Sequence, residues 1–113
     1  MHQQPSVLKL DDMVRGWFVG NFSPAALRTA DVEVAVQRFT KGTIESNHYH
    51  RQATEVTLLL SGRARMAGLE LHAGDIITLL PGNLSSFEAL EDCVTVVVKH
   101  PGVLNDKFVV NKC

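Results

Sequence analysis

Two histidines separated by one residue, His48 and His50, and a glutamate five positions further on, Glu55, are the side chains in this sequence best suited to chemistry. Residues two apart on a β-strand leave the same face, so both imidazoles enter one space. The stretch Arg51-Gln52-Ala53-Thr54 is short enough for a hairpin connection, which brings the Glu55 carboxylate back beside His50 on the next strand. Two nitrogens and one oxygen then converge. A carboxylate held in a protein interior without a compensating charge costs several kcal/mol, and a divalent cation removes that penalty. Two histidines and one carboxylate with open positions suit non-haem iron, and zinc, nickel, manganese and copper accept similar donors, so the sequence predicts a divalent ion without choosing among Fe, Zn, Ni, Mn and Cu. The alternative is a metal-free cluster in which a protonated Glu55 hydrogen-bonds a neutral imidazole.

Strands must hold these groups in place, and the chain is patterned for strands. Short β-branched runs predict strands at 17–21, 32–40, 44–51, 54–61, 63–66, 69–72, 76–80, 85–89 and 93–100. Lys41-Gly42, Ser61-Gly62, Ala67-Gly68, Ala73-Gly74-Asp75, Pro81-Gly82 and Glu91-Asp92 punctuate them with turn-forming residues. Helical periodicity is nearly absent; Ser23-Pro24 could cap one short turn but reads better as a connector. Phe108, Val109 and Val110 suit an edge strand or a swap onto a partner. So many short strands hide their edges most economically by closing into a barrel or by forming a two-sheet jelly roll. No linker or low-complexity segment interrupts residues 1–113, which are read as a single domain.

The bulk properties narrow the partners. The chain has 113 residues and a formal net charge of −1, which offers no general attraction to phosphate backbones or anionic lipid, so neither nucleic acid nor membrane is an expected partner. The polar residues and Pro5 near the N-terminus do not read as a secretory signal, and no apolar stretch approaches the roughly 20 residues of a bilayer span; a cytoplasmic location is expected. Cys93 and Cys113 form no C-x-x-C pair and are read as free thiols.

Residues 42–62 resemble the first motif of the cupin family: Gly42, five residues, His48-Tyr49-His50, four residues, Glu55, six residues, Gly62. The second cupin motif is matched in part by Gly74-Asp75, the run 76–80, Pro81-Gly82 and Phe87, so the motif core covers 42–87. The resemblance implies an all-β, cupin-type antiparallel β-barrel, a double-stranded β-helix or jelly roll, with His48, His50 and Glu55 as metal ligands. Ser85 stands where cupins usually place a further metal-binding histidine. A hydroxyl is a poorer ligand, which leaves open a weaker site, one that keeps an extra water, or one without its ion.

Around that cluster the parity of each strand selects cavity-lining candidates: Thr57 and Leu59 share a face with Glu55, and Phe87 shares one with Ser85. Arg38 shares parity with Val32, Val34 and Val36; if these valines face inward it enters the cavity and could clamp a carboxylate or phosphate, and otherwise it snorkels at the rim. Arg63 and Arg65 read as a solvated face, His72 and His100 as surface, and His2 as tail. Trp17, Phe18 and Phe22 read as core or dimer-interface aromatics, and Tyr49 points away from the cluster.

Three functions compete on these grounds. The first is a metal-dependent oxygenase or isomerase acting on a small polar metabolite, since both activities occur in similar cupins. The second is a non-catalytic small-ligand-binding or sensory module with weak metal or none, which Ser85 favours. The third, a metal-free sugar-nucleotide epimerase or isomerase, needs a tyrosine acid or a histidine–carboxylate pair across the cavity, and the outward reading of Tyr49 argues against it. No organic cofactor is expected, and a homodimer is the expected assembly.

Overall fold

A computed structural model describes residues 4–110; His2 and Cys113 lie outside the described residues. Among the described residues ten strands form: β1 (Trp17–Val19), β2 (Glu33–Phe39), β3 (Ile44–His50), β4 (Thr54–Ser61), β5 (Arg63–Met66), β6 (Leu69–His72), β7 (Ile76–Leu79), β8 (Ser85–Ala89), β9 (Cys93–His100) and β10 (Lys107–Val109). The predicted strands are all present, and β10 supplies the terminal edge strand by pairing with β3. Residues 23–27 form no helical turn; Leu27 instead makes a parallel bridge to Val19. Two 3-10 turns, Leu10–Asp12 and Val14–Gly16, precede β1. Among the described residues, no helix is long and apolar enough to cross a membrane.

The strands make two five-stranded antiparallel sheets, in the orders β1-β2-β9-β4-β7 and β10-β3-β8-β5-β6. Of the two ways to hide edges, the chain takes the jelly roll: the sheets do not close into a hydrogen-bonded barrel. Apart from the pairs β1–β2 and β5–β6, successive strands switch sheets, so β3 and β4, adjacent in sequence, lie in different sheets. The expected hairpin return from His50 to Glu55 is therefore a crossing between sheets.

Inward residues alternate along β4 and β9. On β4, Glu55, Thr57 and Leu59 are buried, and on β9 Cys93, Thr95 and Val97 are buried. At one end Leu59, Ala64, Met66, Leu71, Ile77, Leu79, Phe87, Ala89 and Cys93 form an apolar core, with Phe39 packed on it and its ring 4.5 Å from that of Phe87. At the other end the inward residues turn polar, and the core gives way to a cavity. Gly62, the closing glycine of the first motif, has φ +85°, and a Cβ there would run into the Asp92 carbonyl oxygen and Cys93. Only glycine fits that turn between β4 and β5.

Candidate metal centre

His48 and His50 both lie on the inward face of β3, 8% and 5% exposed, and Glu55, on the inward face of β4, is 5% exposed. The imidazole centroids are 5.3 Å apart with ring planes at 80°. One donor atom from each of the three residues can be chosen so that all lie within 4.8 Å of one another. The two sheets thus bring together the three groups that strand parity predicts.

Hydrogen bonds settle which nitrogen faces the cavity. His48 Nδ1 lies 3.0 Å from the Ser46 carbonyl oxygen, and His50 Nδ1 lies 2.9 Å from that of Asp106. A carbonyl oxygen only accepts, so each Nδ1 carries a proton and donates it, leaving each Nε2 with a free lone pair in the neutral ring. His50 Nε2 is buried with no hydrogen-bond partner of good geometry, 3.4 Å from Glu55 Oε1. Two acceptors at that separation need a proton or a cation between them. The donor set therefore fits a divalent ion at His48, His50 and Glu55.

The remaining contacts tune this cluster. Thr57 Oγ1 donates to Glu55 Oε2 at 3.0 Å. Burial pushes the Glu55 carboxyl upward, but the neighbouring His50 imidazole, the charge of Lys99 and the Thr57 hydroxyl together hold it below its ordinary value. Burial pushes His48 down, favouring the neutral ring that a metal requires.

The connection between the ligands is held from the far end of the chain. The Asp106 carboxylate accepts from the backbone N–H groups of Arg51, Gln52 and Ala53, at 3.0 to 3.3 Å, while its own carbonyl orients His50. Burial would raise that carboxyl, and the three N–H groups overcome it and hold the group below its ordinary value. The second motif contributes too: Gly82 N–H donates to the His50 carbonyl at 2.7 Å. Tyr49 points away from the cluster and stacks on Phe108 of β10, centroids 5.4 Å apart.

The cavity, of about 1210 Å³, is lined by Thr57, Ser85 and Phe87 as well as the three donors. Ser85 lies opposite His48 across the β3–β8 pair and is 1% exposed, with no hydrogen-bond partner for its Oγ. Leu59 is the exception among the candidates on β4. It faces inward, but four residues along the strand, about 13 Å from Glu55 by extended rise, it is fully buried in the apolar core and does not line the cavity.

Arg38 takes the second of its two expected positions, at the rim. The buried parity on β2 is that of Glu33 and Ala35, so Val34, Val36 and Arg38 take the other face. Val36 joins Leu8, Leu10, Met13, Phe18 and Ala26 around a small hollow there, which explains why an apolar residue faces away from the core. Arg38 reaches only the rim of the main cavity, 65% exposed and 3.4 Å from Asp11. Trp17 and Phe22 also line that cavity rather than the core.

Glu33, Thr95 and Lys99 are among the lining groups that escape sequence reasoning. Glu33 is 7% exposed, and burial pushes its carboxyl above its ordinary value. It lies opposite Lys99 on β9, which in turn lies opposite Glu55 on β4. Thr95 is 2% exposed with an unpartnered Oγ1. The only available signal was the break in the valine run of β9, where Thr95 and Lys99 take inward positions.

No protein-family model matches the sequence, and no curated protein matches it. Solved structures do. A protein with a double-stranded β-helix domain from Klebsiella pneumoniae subsp. pneumoniae aligns over 99% of this chain and 100% of its own, with a TM-score of 0.71 and 23% identity. Oxalate decarboxylase from Bacillus subtilis aligns over 72% of this chain at TM-score 0.64 and 22% identity, this chain spanning only 24% of that one. KdgF from Halomonas sp. aligns over 68% of this chain and 74% of its own, at TM-score 0.61 and 20% identity. With two facing antiparallel sheets and these neighbours, the chain has the double-stranded β-helix fold of the cupins.

Proposed function

We propose that this chain is a metal-dependent enzyme, an oxygenase or isomerase, that binds a divalent ion through His48 Nε2, His50 Nε2 and a Glu55 carboxylate oxygen and acts on a small polar metabolite. The observation that carries the reading is the pairing of two buried acceptors, His50 Nε2 and Glu55 Oε1, 3.4 Å apart beside an open cavity. An ion bound there would act as a Lewis acid on a coordinated oxygen. The residues of the chain do the rest: the Ser46 and Asp106 carbonyls fix the imidazole tautomers, Thr57 orients the carboxylate, and Phe87 with the core beyond it keeps water from one side. Among the similar structures, the B. subtilis oxalate decarboxylase has Mn(II) centres, which supports a metal here by analogy. The chain is proposed to work as a single domain and as a homodimer, with exposed Leu60, Ile76 and Leu80 at the β7 edge as apolar surface for the pairing.

Ser85 favours a second reading, a ligand-binding module with weak metal or none, because its hydroxyl stands buried and unpartnered next to His48. Elemental analysis separates the two. The protein is purified without added metal, then offered Fe(II), Mn(II), Ni(II), Cu(II) and Zn(II) in turn, alongside His50→Ala. Near-stoichiometric uptake that falls about tenfold or more in the variant is expected. A native chain that takes up none of the five, or a variant that retains all of it, overturns the enzyme reading.

A further inference from the structure

Lys99 is a cation inside the cavity that is not one of the three proposed metal ligands, although its charge helps hold Glu55 ionised. Strand parity aligns it with Thr95 and Val97, facing inward, and it lines the cavity. Glu33 and Glu55 lie opposite it on the two neighbouring strands, yet among the described residues it makes neither an ion pair nor a side-chain hydrogen bond. Its ammonium is held instead over the ring of Trp17, 4.8 Å from the centroid. A cation resting on an aromatic face keeps its N–H donors free for an anion.

A second, independent observation lies on the opposite sheet. Ser85, 1% exposed and facing His48 across its strand pair, has a hydroxyl with no partner. Lys99 is the strand neighbour of Glu55, and Ser85 that of His48. The cluster is therefore flanked on one side by an unpaired ammonium and on the other by an unpaired hydroxyl, both within a cavity open to solvent. A buried hydroxyl left unmatched costs free energy that a ligand oxygen recovers.

We propose that the cavity takes a small hydroxy- or oxo-carboxylate, its carboxylate on the Lys99 ammonium and its neighbouring oxygen directed toward the His48–His50–Glu55 cluster within reach of Ser85. This assigns a substrate class to the proposed metal centre and rests on that reading for the placement of the second oxygen. Arg38 does not serve as the anion anchor, since it is exposed at the rim and engaged by Asp11. Lys99 has the inward parity that Arg38 lacks.

The chain contains a single tryptophan, so Trp17 emission reports directly on events at Lys99. Glycolate, malate and gluconate are titrated into the protein beside their uncharged counterparts ethylene glycol, 1,2,4-butanetriol and sorbitol, with affinities taken in parallel by calorimetry. At least one carboxylate is expected to bind saturably and shift the emission, with its polyol about tenfold weaker or more. Lys99→Met is expected to lose about tenfold or more of that affinity, Lys99→Arg to keep most of it, and both to retain the melting temperature of the native chain. No saturable response to any of the three acids, equal binding of the polyols, or an unchanged affinity in a folded Lys99→Met protein overturns the proposal. Lys99-dependent binding by a chain that takes up no metal sinks the metal reading and leaves the carboxylate assignment standing; full metal uptake with Lys99-independent binding does the reverse.

Discussion

The Asp106 carbonyl oxygen accepts the His50 Nδ1 proton at 2.9 Å, across 56 positions of sequence, while the carboxylate of the same residue gathers the three backbone N–H groups that follow His50. One residue at the start of the terminal edge strand thus orients a candidate ligand and shapes the connection leading to the next one. Asp106 is itself 5% exposed, so a carboxylate stripped of these donors would be an uncompensated buried charge.

Removing that carboxylate has a definite expected cost. Asp106→Ala leaves three N–H groups without their acceptor and should destabilise the fold by about 2–4 kcal/mol, with metal affinity down about tenfold or more. Asp106→Asn keeps one acceptor oxygen and should fall between. Urea denaturation and chelator competition read the two effects; an Asp106→Ala protein with native stability would remove Asp106 from this role.

The titration directions predict how the metal-free protein responds to acid. The folded Asp106 carboxyl sits below 3.8, so the unfolded chain binds the proton first; its stabilisation is complete above that value and is lost as pH falls. His48 sits below 6.5, so an earlier decline begins as pH falls through 6.5, where the unfolded imidazole charges and the folded one resists. Glu33 opposes both, because its raised carboxyl lets the folded state take up a proton before the unfolded one near 4.5. In chelator-treated protein, urea midpoints measured from neutral pH to pH 3 should decline in two stages. His48→Gln should abolish the first, and Asp106→Asn should reduce the second, to which the lowered Glu55 carboxyl also contributes; a single stage untouched by either substitution contradicts the assignment.

Two motif glycines should differ sharply on substitution. Gly62→Ala places a methyl against the Asp92 carbonyl at φ +85°, and a loss of about 2–4 kcal/mol is expected. Gly42 has φ +93° but open space around it, so Gly42→Ala should cost only about 1 kcal/mol, for the backbone alone. Equal losses in denaturant midpoints would mean that the Asp92 contact contributes nothing.

Restoring an imidazole opposite His48 should strengthen metal retention. Ser85 lies beside His48 and lines the cavity, so Ser85→His can supply a further nitrogen donor to the cluster. Competition against a chelator should show affinity raised about tenfold or more. An affinity no better than that of the native chain would show that position 85 does not reach the ion.

Short-range pattern determined a great deal on its own. Turn residues delimited nearly every strand, because a glycine at positive φ or an Asp that closes its own turn acts on its immediate neighbours. Alternation placed His48 with His50, and Thr57 with Glu55, because strand parity is a local property. The tertiary structure decided what depends on a partner distant in sequence. It decided that the sheets stay separate, that the valines of β2 lie on the face away from the core and turn Arg38 outward, and that Leu59 sits too far along its strand to meet the cavity. It also brought Asp106 to His50 and Trp17 to Lys99. Sequence periodicity records which residues share a face; only the packing of distant segments decides what that face meets.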